Sequence, residues 1–221
     1  MSKNAAPENR EAISENTTGR LSVYLRCLMF LEQSGTETIS SQELADRFHL
    51  NSAQIRKDLA CFGEFGTRGV GYNVSRLKQQ LVHTLGIDRK RNVLIVGAGN
   101  LGMALADYAG FNRGGFEIVA LVDVDPEKVG RTSRSGIPVL PYVRLGDIVR
   151  ENAVEIGVIA VTPESAQDVH DTLVAAGVVA VLNFAPVQIR TPERVKVKTV
   201  DLRINLESLS FFLKNIEDGV I

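Results

Sequence analysis

The period of hydrophobic positions changes along the chain, and each change marks a different kind of element. Leu21, Tyr24, Leu25, Leu28 and Leu31 recur at steps of three and four residues until Gly35, which predicts an amphipathic helix from Thr18 with a glycine C-cap. Residues 1–17 carry no such period and are expected to be a disordered polar lead-in. Two helix starts of one design follow. In "ISSQEL", Ser40 and Glu43 form a capping box stapled by Ile39 and Leu44; in "LNSAQI", Asn51 and Gln54 are placed to do the same, stapled by Leu50 and Ile55. The "FHL" between them has room only for a sharp turn, so the pair is a helix-turn-helix whose second helix runs from Ser52 to Phe62. Ile55, Leu59 and Phe62 define its buried face, which turns Ala53 and Lys57 outward with Gln54 and Arg56 on the flanks.

In "GEFGTRGVGYNV", glycines punctuate short β-like pieces around Arg68, the pattern of a hairpin and therefore of a wing. "SRLKQQLVHTLGIDRKR", residues 75–91, predicts a connecting helix and a basic linker. Beyond it the pattern becomes apolar runs alternating with helical stretches: "NVLIV", "EIVALVD", "IPVL", "IGVIAV" and "VVAVLN", separated by helices. That alternation makes a parallel sheet with helices on both faces.

Charge sharpens this division. The net charge of −1 conceals 11 basic against 7 acidic residues over 20–91, and 12 against 16 over 92–221. A basic front on an acidic rear suggests that the front alone meets a polyanion, with Gln54, Arg56, Lys57 and Arg68 as the candidate DNA contacts. The two cysteines, Cys27 and Cys61, are too few for a disulfide framework and are expected to be buried thiols. A basic, apolar leader is lacking, and no apolar run approaches membrane-spanning length. A cytoplasmic protein is expected.

The strand "NVLIV" leads into Gly97, Gly99 and Gly102 and a helix through Tyr108, the context that a dinucleotide fingerprint requires. Gly97, Ala98, Gly99, Asn100, Leu101 and Gly102 are the candidate pyrophosphate loop. Asp123, at the end of the second strand, is placed to accept the adenosine ribose hydroxyls, which favours NAD(H) over a 2′-phosphorylated cofactor. Arg131 argues the other way if it folds back toward that ribose. Ligands in such sheets sit beyond the carboxyl ends of the strands, which puts Thr162 of "VTP" and Asn183 and Phe184 of "NFAP" at the nicotinamide end. The three histidines, His49, His83 and His170, lie in a turn or within helices, and none is well placed to exchange a proton there. With no metal-ligand spacing or activated nucleophile visible, the pattern favours sensing a nucleotide over reacting with it. No enzyme activity is expected.

The motifs "SAQIRKDLACFGEFGTRGVGYNV", "VGAGNLGMALADY", "DVDPEKVG", "VLNFAP" and "VDL", in this order, resemble those of the Rex family of redox-sensing transcriptional repressors, over about residues 18–218. The resemblance implies an α/β chain divided into a winged-helix DNA-binding domain (18–91), a Rossmann-type parallel-sheet NAD(H)-binding domain (92–203) and a domain-swapped C-terminal helix (204–221). It implies a homodimer, joined through that helix and the Rossmann domain, which binds an inverted-repeat operator when NADH is scarce and leaves it when NADH binds. NADH and NAD+ are the implied ligands, and Arg26, Tyr108 and Asp201 the implied switch residues. Leu202 stands where some relatives carry an aromatic residue. Two other readings of the residues stay open: a small NAD-dependent oxidoreductase with a helical appendage, and a CoA-binding module.

Overall fold

The computed structural model describes residues 15–220 apart from Glu64 and Arg68, with Asn112 and Arg113 described in backbone only. The chain separates into two units, one ending at Arg89 and the other beginning at Lys90.

The first unit opens with α1 (Glu15–Gln33), which buries Leu21, Tyr24, Leu25, Cys27, Leu28 and Leu31. The expected lead-in lies outside the described residues up to position 14; positions 15–17 are already helical, since the apolar stripe anchors a helix that extends upstream of it. Gly35, at φ 75°, ends this helix as the pattern predicts, with Thr36 N–H reaching back to Leu31 O. Strand β1 (Thr38–Ile39) is followed by α2 (Ser41–Phe48) and α3 (Ser52–Ala60). Both arms of the Ser40–Glu43 capping box form. At Asn51 only one does: the side chain accepts from Gln54 N–H, while the Gln54 side chain turns to Asp58 instead of reaching back.

Helix α3 ends at Ala60, two residues short of the expected Phe62. Cys27 is buried as expected, but Cys61, just past the helix, is exposed, because the turn that ends α3 carries it off the apolar stripe. Strands β2 (Gly66–Thr67) and β3 (Gly71–Asn73) form the hairpin, and β1 pairs with β3 to give a three-stranded sheet in the order β1-β3-β2. Helix α4 (Val74–Thr84), capped by Asn73, packs Val74, Leu77 and Leu81 into the same core as α1. Each such fully buried aliphatic side chain contributes about 1.5–3 kcal/mol relative to exposure.

The second unit is a parallel sheet of six strands in the order β6-β5-β4-β7-β8-β9. Its elements run β4 (Arg91–Val96), α5 (Asn100–Ala106), α6 (Ala109–Arg113), β5 (Phe116–Asp123), β6 (Val139–Pro141), a 3-10 turn (Tyr142–Arg144), α7 (Leu145–Glu151), β7 (Ile156–Ile159), α8 (Pro163–Ala175), β8 (Ala180–Asn183), β9 (Lys196–Thr199) and α9 (Leu202–Glu217). The chain steps outward from β4 to β5 and β6, then returns to pair β7 on β4's other side, so the order reverses between β4 and β7. Leu94, Val96, Ala120, Val122 and Ile159 pack on one face of the sheet, and Val93, Ile95, Leu121 and Val158 on the other.

Strand β9 is absent from the apolar pattern because "KVKT" is an edge strand with one inward residue, and the ladder to β8 fixes it. The helix expected to run through Tyr108 stops at Ala106, and Tyr108 instead opens α6. Among the described residues, no helix is long and apolar enough to cross a membrane.

Candidate cofactor and nucleic-acid sites

A cleft of about 640 Å³ opens at the carboxyl ends of β4 and β7, at the point where the strand order reverses. This is the place where doubly wound sheets take nucleotides, and the volume is in the range of cofactor sites. The glycine loop shapes one wall. Gly97 has φ 104°, and a side chain there would collide with the Ala160 carbonyl of the neighbouring strand. A side chain at Gly102 would strike the Gly97 carbonyl, so glycine is needed for the first turn of α5 to lie against the loop. Gly99, by contrast, has open space where its Cβ would stand, which leaves the backbone approachable at the start of α5. No side chain caps α5, so none competes with an anion for its first N–H groups.

Of the expected cofactor residues, Gly97, Gly99, Asn100, Leu101, Asp123, Thr162 and Phe184 line the cleft together; Ala98, Gly102 and Asn183 do not. Ala98 is buried and gives its N–H to Asp123 Oδ2 at 2.7 Å. Asn183 is wholly buried and internally committed. Its Nδ2 donates to the Ala185 and Val187 carbonyls and to Thr199 Oγ1, while its Oδ1 accepts from Ala185 N–H. It therefore folds the turn that presents Phe184.

Asp123 is 7% exposed and already well partnered: Oδ1 accepts from Asp125 N–H at 2.9 Å, and Lys128 Nζ lies 3.2 Å from Oδ2. Burial alone would raise its pKa; the backbone donors and Lys128 outweigh that and hold it below the usual carboxylate range. Lys128, also 3.6 Å from Asp125, lines the cleft, whereas Arg131 does not. Lys128 was not singled out from sequence, although "DVDPEKVG" contains it: the turn after β5 folds back on Asp123, a return that no periodicity announces. Ser165, Asp168 and Tyr142 also line the cleft, among several valines.

The histidines stay away from the cleft. His49 caps α2 in the left-handed conformation, and His83 pairs with Asp88. His170 is fully buried, bonded to Asp171 Oδ1 and Thr191 Oγ1, and fastens α8 to the chain following β8.

In the first unit, Arg56 and Lys57 are exposed on α3, with Arg56 Nη1 3.0 Å from Ser41 Oγ. Gln54 is half-buried and donates to Asp58, so it is less free than a solvent-facing flank. Arg68 lies outside the described residues. Arg26 is exposed and donates to the Ser22 carbonyl at 3.3 Å. Tyr108 is 59% exposed and packs edge-on against Phe111. Asp201 is the N-cap of α9, accepting from Arg203 N–H at 2.9 Å. No side chain of α9 is buried. An apolar stripe of Leu206, Leu209, Leu213 and Ile216 is 47–67% exposed, and Leu202, Phe211 and Phe212 are open beside it.

Two family models match: a "DNA-binding protein N-terminus" over residues 12–60 and a CoA binding domain over residues 88–187. A redox-sensing transcriptional repressor Rex of Carboxydothermus hydrogenoformans is 50% identical over 202 residues, covering 91% of this chain and 97% of that one. The Rex of Desulfitobacterium hafniense is 48% identical over 90% of this chain and 94% of its own. Among solved structures, the Rex-family repressor RSP in complex with β-NAD+ and operator DNA superposes with a TM-score of 0.89 at 35% identity, covering 96% of each chain. RSP in complex with β-NADH gives 0.84 at 34% identity, over 96% of this chain and 98% of that one. The likeness covers nine-tenths or more of the chain, and the chain belongs to the Rex family of redox-sensing transcriptional repressors.

Proposed function

We propose that this protein is an NADH-responsive transcriptional repressor that binds an inverted-repeat DNA operator as a homodimer and releases it when NADH occupies the cleft. The observation that carries the proposal is the union, in one chain, of a winged helix-turn-helix and a dinucleotide cleft at a sheet's switch point. Both are matched by a relative whose structure holds β-NAD+ and operator DNA together. It acts in the cytoplasm, as residues 18–91 that read DNA, residues 92–203 that hold the cofactor and residues 204–221 that exchange between subunits.

Helix α3 enters the major groove, presenting Lys57, Arg56 and Gln54, with Arg68 of the wing on phosphate or the adjacent minor groove. The glycine loop takes the pyrophosphate, Asp123 the adenosine ribose, and the region of Val161, Thr162 and Phe184 the nicotinamide. The oxidised ring carries a positive charge that Val161 and Phe184, with Leu202, solvate poorly, which favours NADH over NAD+. The exposed apolar face of α9 is covered by the partner subunit. Asp201 then exchanges partners between Arg26, in the DNA-binding form, and Tyr108, in the NADH form; leaving its cap on Arg203 costs about 0.5–2 kcal/mol, which either partner must offset.

A gel shift of the operator titrated separately with NADH, NAD+ and CoA tests the proposal. NADH is expected to release the DNA at the lowest concentration. The match to a CoA binding domain favours a second reading of the cleft, and release by CoA in preference to NADH would make that reading the correct one.

A further inference from the structure

Asp58 takes no part in the function proposed above, yet it is the hub of the first unit's polar interior. It is 2% exposed, and among the described residues it is this unit's one buried charged side chain. Four donors saturate it. Oδ2 accepts from Arg20 Nε at 2.6 Å and Tyr24 OH at 2.8 Å; Oδ1 accepts from Arg20 Nη2 at 2.7 Å and Gln54 Nε2 at 2.8 Å. Arg20 and Tyr24 come from α1, whereas Gln54 stands one helical turn before Asp58 on α3.

The arrangement dictates which way the Gln54 amide faces. A carboxylate held ionised by a bidentate arginine has only acceptors, so the Gln54 oxygen is repelled from it and the NH₂ is drawn to it. One amide hydrogen is thereby committed to Oδ1. The carbonyl oxygen and the second hydrogen remain, and together they form the acceptor-donor edge that matches N6 and N7 of adenine in the major groove. An unrestrained glutamine on a helix surface rotates and flips, offering either order of donor and acceptor. A restrained one offers a single order.

We propose that Asp58 is a positioning residue for sequence recognition: by locking the Gln54 amide, it makes Gln54 select an A·T pair in each operator half-site. This rests on the reading that α3 enters the major groove. Its effect falls on discrimination between bases, whereas a purely structural Asp58 would change affinity for all sequences together.

The test uses the full-length protein, without NADH, on a duplex that it selects from a randomised pool, with each base pair then varied in turn. Asp58→Asn and Gln54→Ala are expected to lose discrimination at the same A·T pair by about 5- to 150-fold, the range of one bidentate base contact, while preferences elsewhere persist. Tyr24→Phe removes one donor from Asp58 without touching Gln54, and is expected to keep the wild-type profile. Uniform weakening by Asp58→Asn would overturn the proposal, as would loss at a different pair or at a G·C pair, the same loss in Tyr24→Phe, or no change in Gln54→Ala. If Asp58→Asn does not fold, side-chain NMR of the wild type decides: one Gln54 amide proton protected from solvent exchange supports the lock, and two equally exchanging protons refute it. Failure of the wild type to select any duplex would remove the DNA-binding reading as well.

Discussion

At the scale of single residues, the cofactor site depends on a charge balance around one carboxylate. Asp123 holds Ala98 N–H, Asp125 N–H and Lys128 at once, which leaves little acceptor capacity unspent, and that remainder is what the ribose would use in the proposed binding mode. Asp123→Ala is therefore expected to weaken NADH by about 10- to 150-fold, the value of a hydrogen bond to a charged group, and to narrow NADH's advantage over NADPH because it frees Lys128 for a 2′-phosphate. Calorimetry with both reduced cofactors checks this, and equal affinity of the unmutated protein for the two would contradict it. Asp58 gives a second residue-scale expectation. Its hydrogen bonds from Arg20, with those from Gln54 and Tyr24, hold its carboxyl below the usual range against the opposing effect of burial. Its stabilising effect is thus complete above the unfolded carboxylate pKa of about 3.9 and is lost as pH falls through the lower folded value. Acid unfolding followed by circular dichroism should show this: Asp58→Asn is expected to be less stable than the parent at neutral pH and to lose less as pH drops.

At the scale of elements, local chemistry decides how much can be read from sequence. The Ser40–Glu43 capping box is a contract between neighbours, and it forms as written. Ser40→Ala is expected to cost about 1 kcal/mol, which for a domain of this size lowers its melting temperature by about 4–8 °C in a thermal scan. Gly35 and the Gly97 loop are equally local, because each needs a backbone conformation that glycine adopts without strain. What escaped the sequence depends on partners distant along the chain. Gln54 abandons half of its capping box for a carboxylate that α1 also grips, and β9 exists only because β8 offers it a ladder. Asn183 has the position of a ligand contact but spends its whole amide shaping a turn. Cys61 follows the apolar period into α3's last turn and then leaves it, since a period cannot announce where its helix ends.

At the scale of the whole molecule, the exposed apolar face of α9 and the separation of DNA reading from cofactor binding make sense together only in a dimer. Leu209→Asp with Leu213→Asp is expected to shift the protein toward monomers in analytical ultracentrifugation and to abolish operator binding, because an inverted repeat is gripped by two recognition helices about one or more turns of 34–36 Å apart. In the proposed mechanism, NADH and operator are the opposed ligands of one two-state dimer. Linkage then binds them: whatever factor NADH takes from operator affinity, the operator must take from NADH affinity, and a coupling of about 1–3 kcal/mol makes that factor about 5 to 150. The most direct measurement is this reciprocity, with operator affinity determined at saturating and zero NADH, and NADH affinity determined on free and operator-bound protein. The predicted result is one shared factor above about 5 that shrinks toward 1 in Tyr108→Phe. Two affinities that are each indifferent to the other ligand would contradict it.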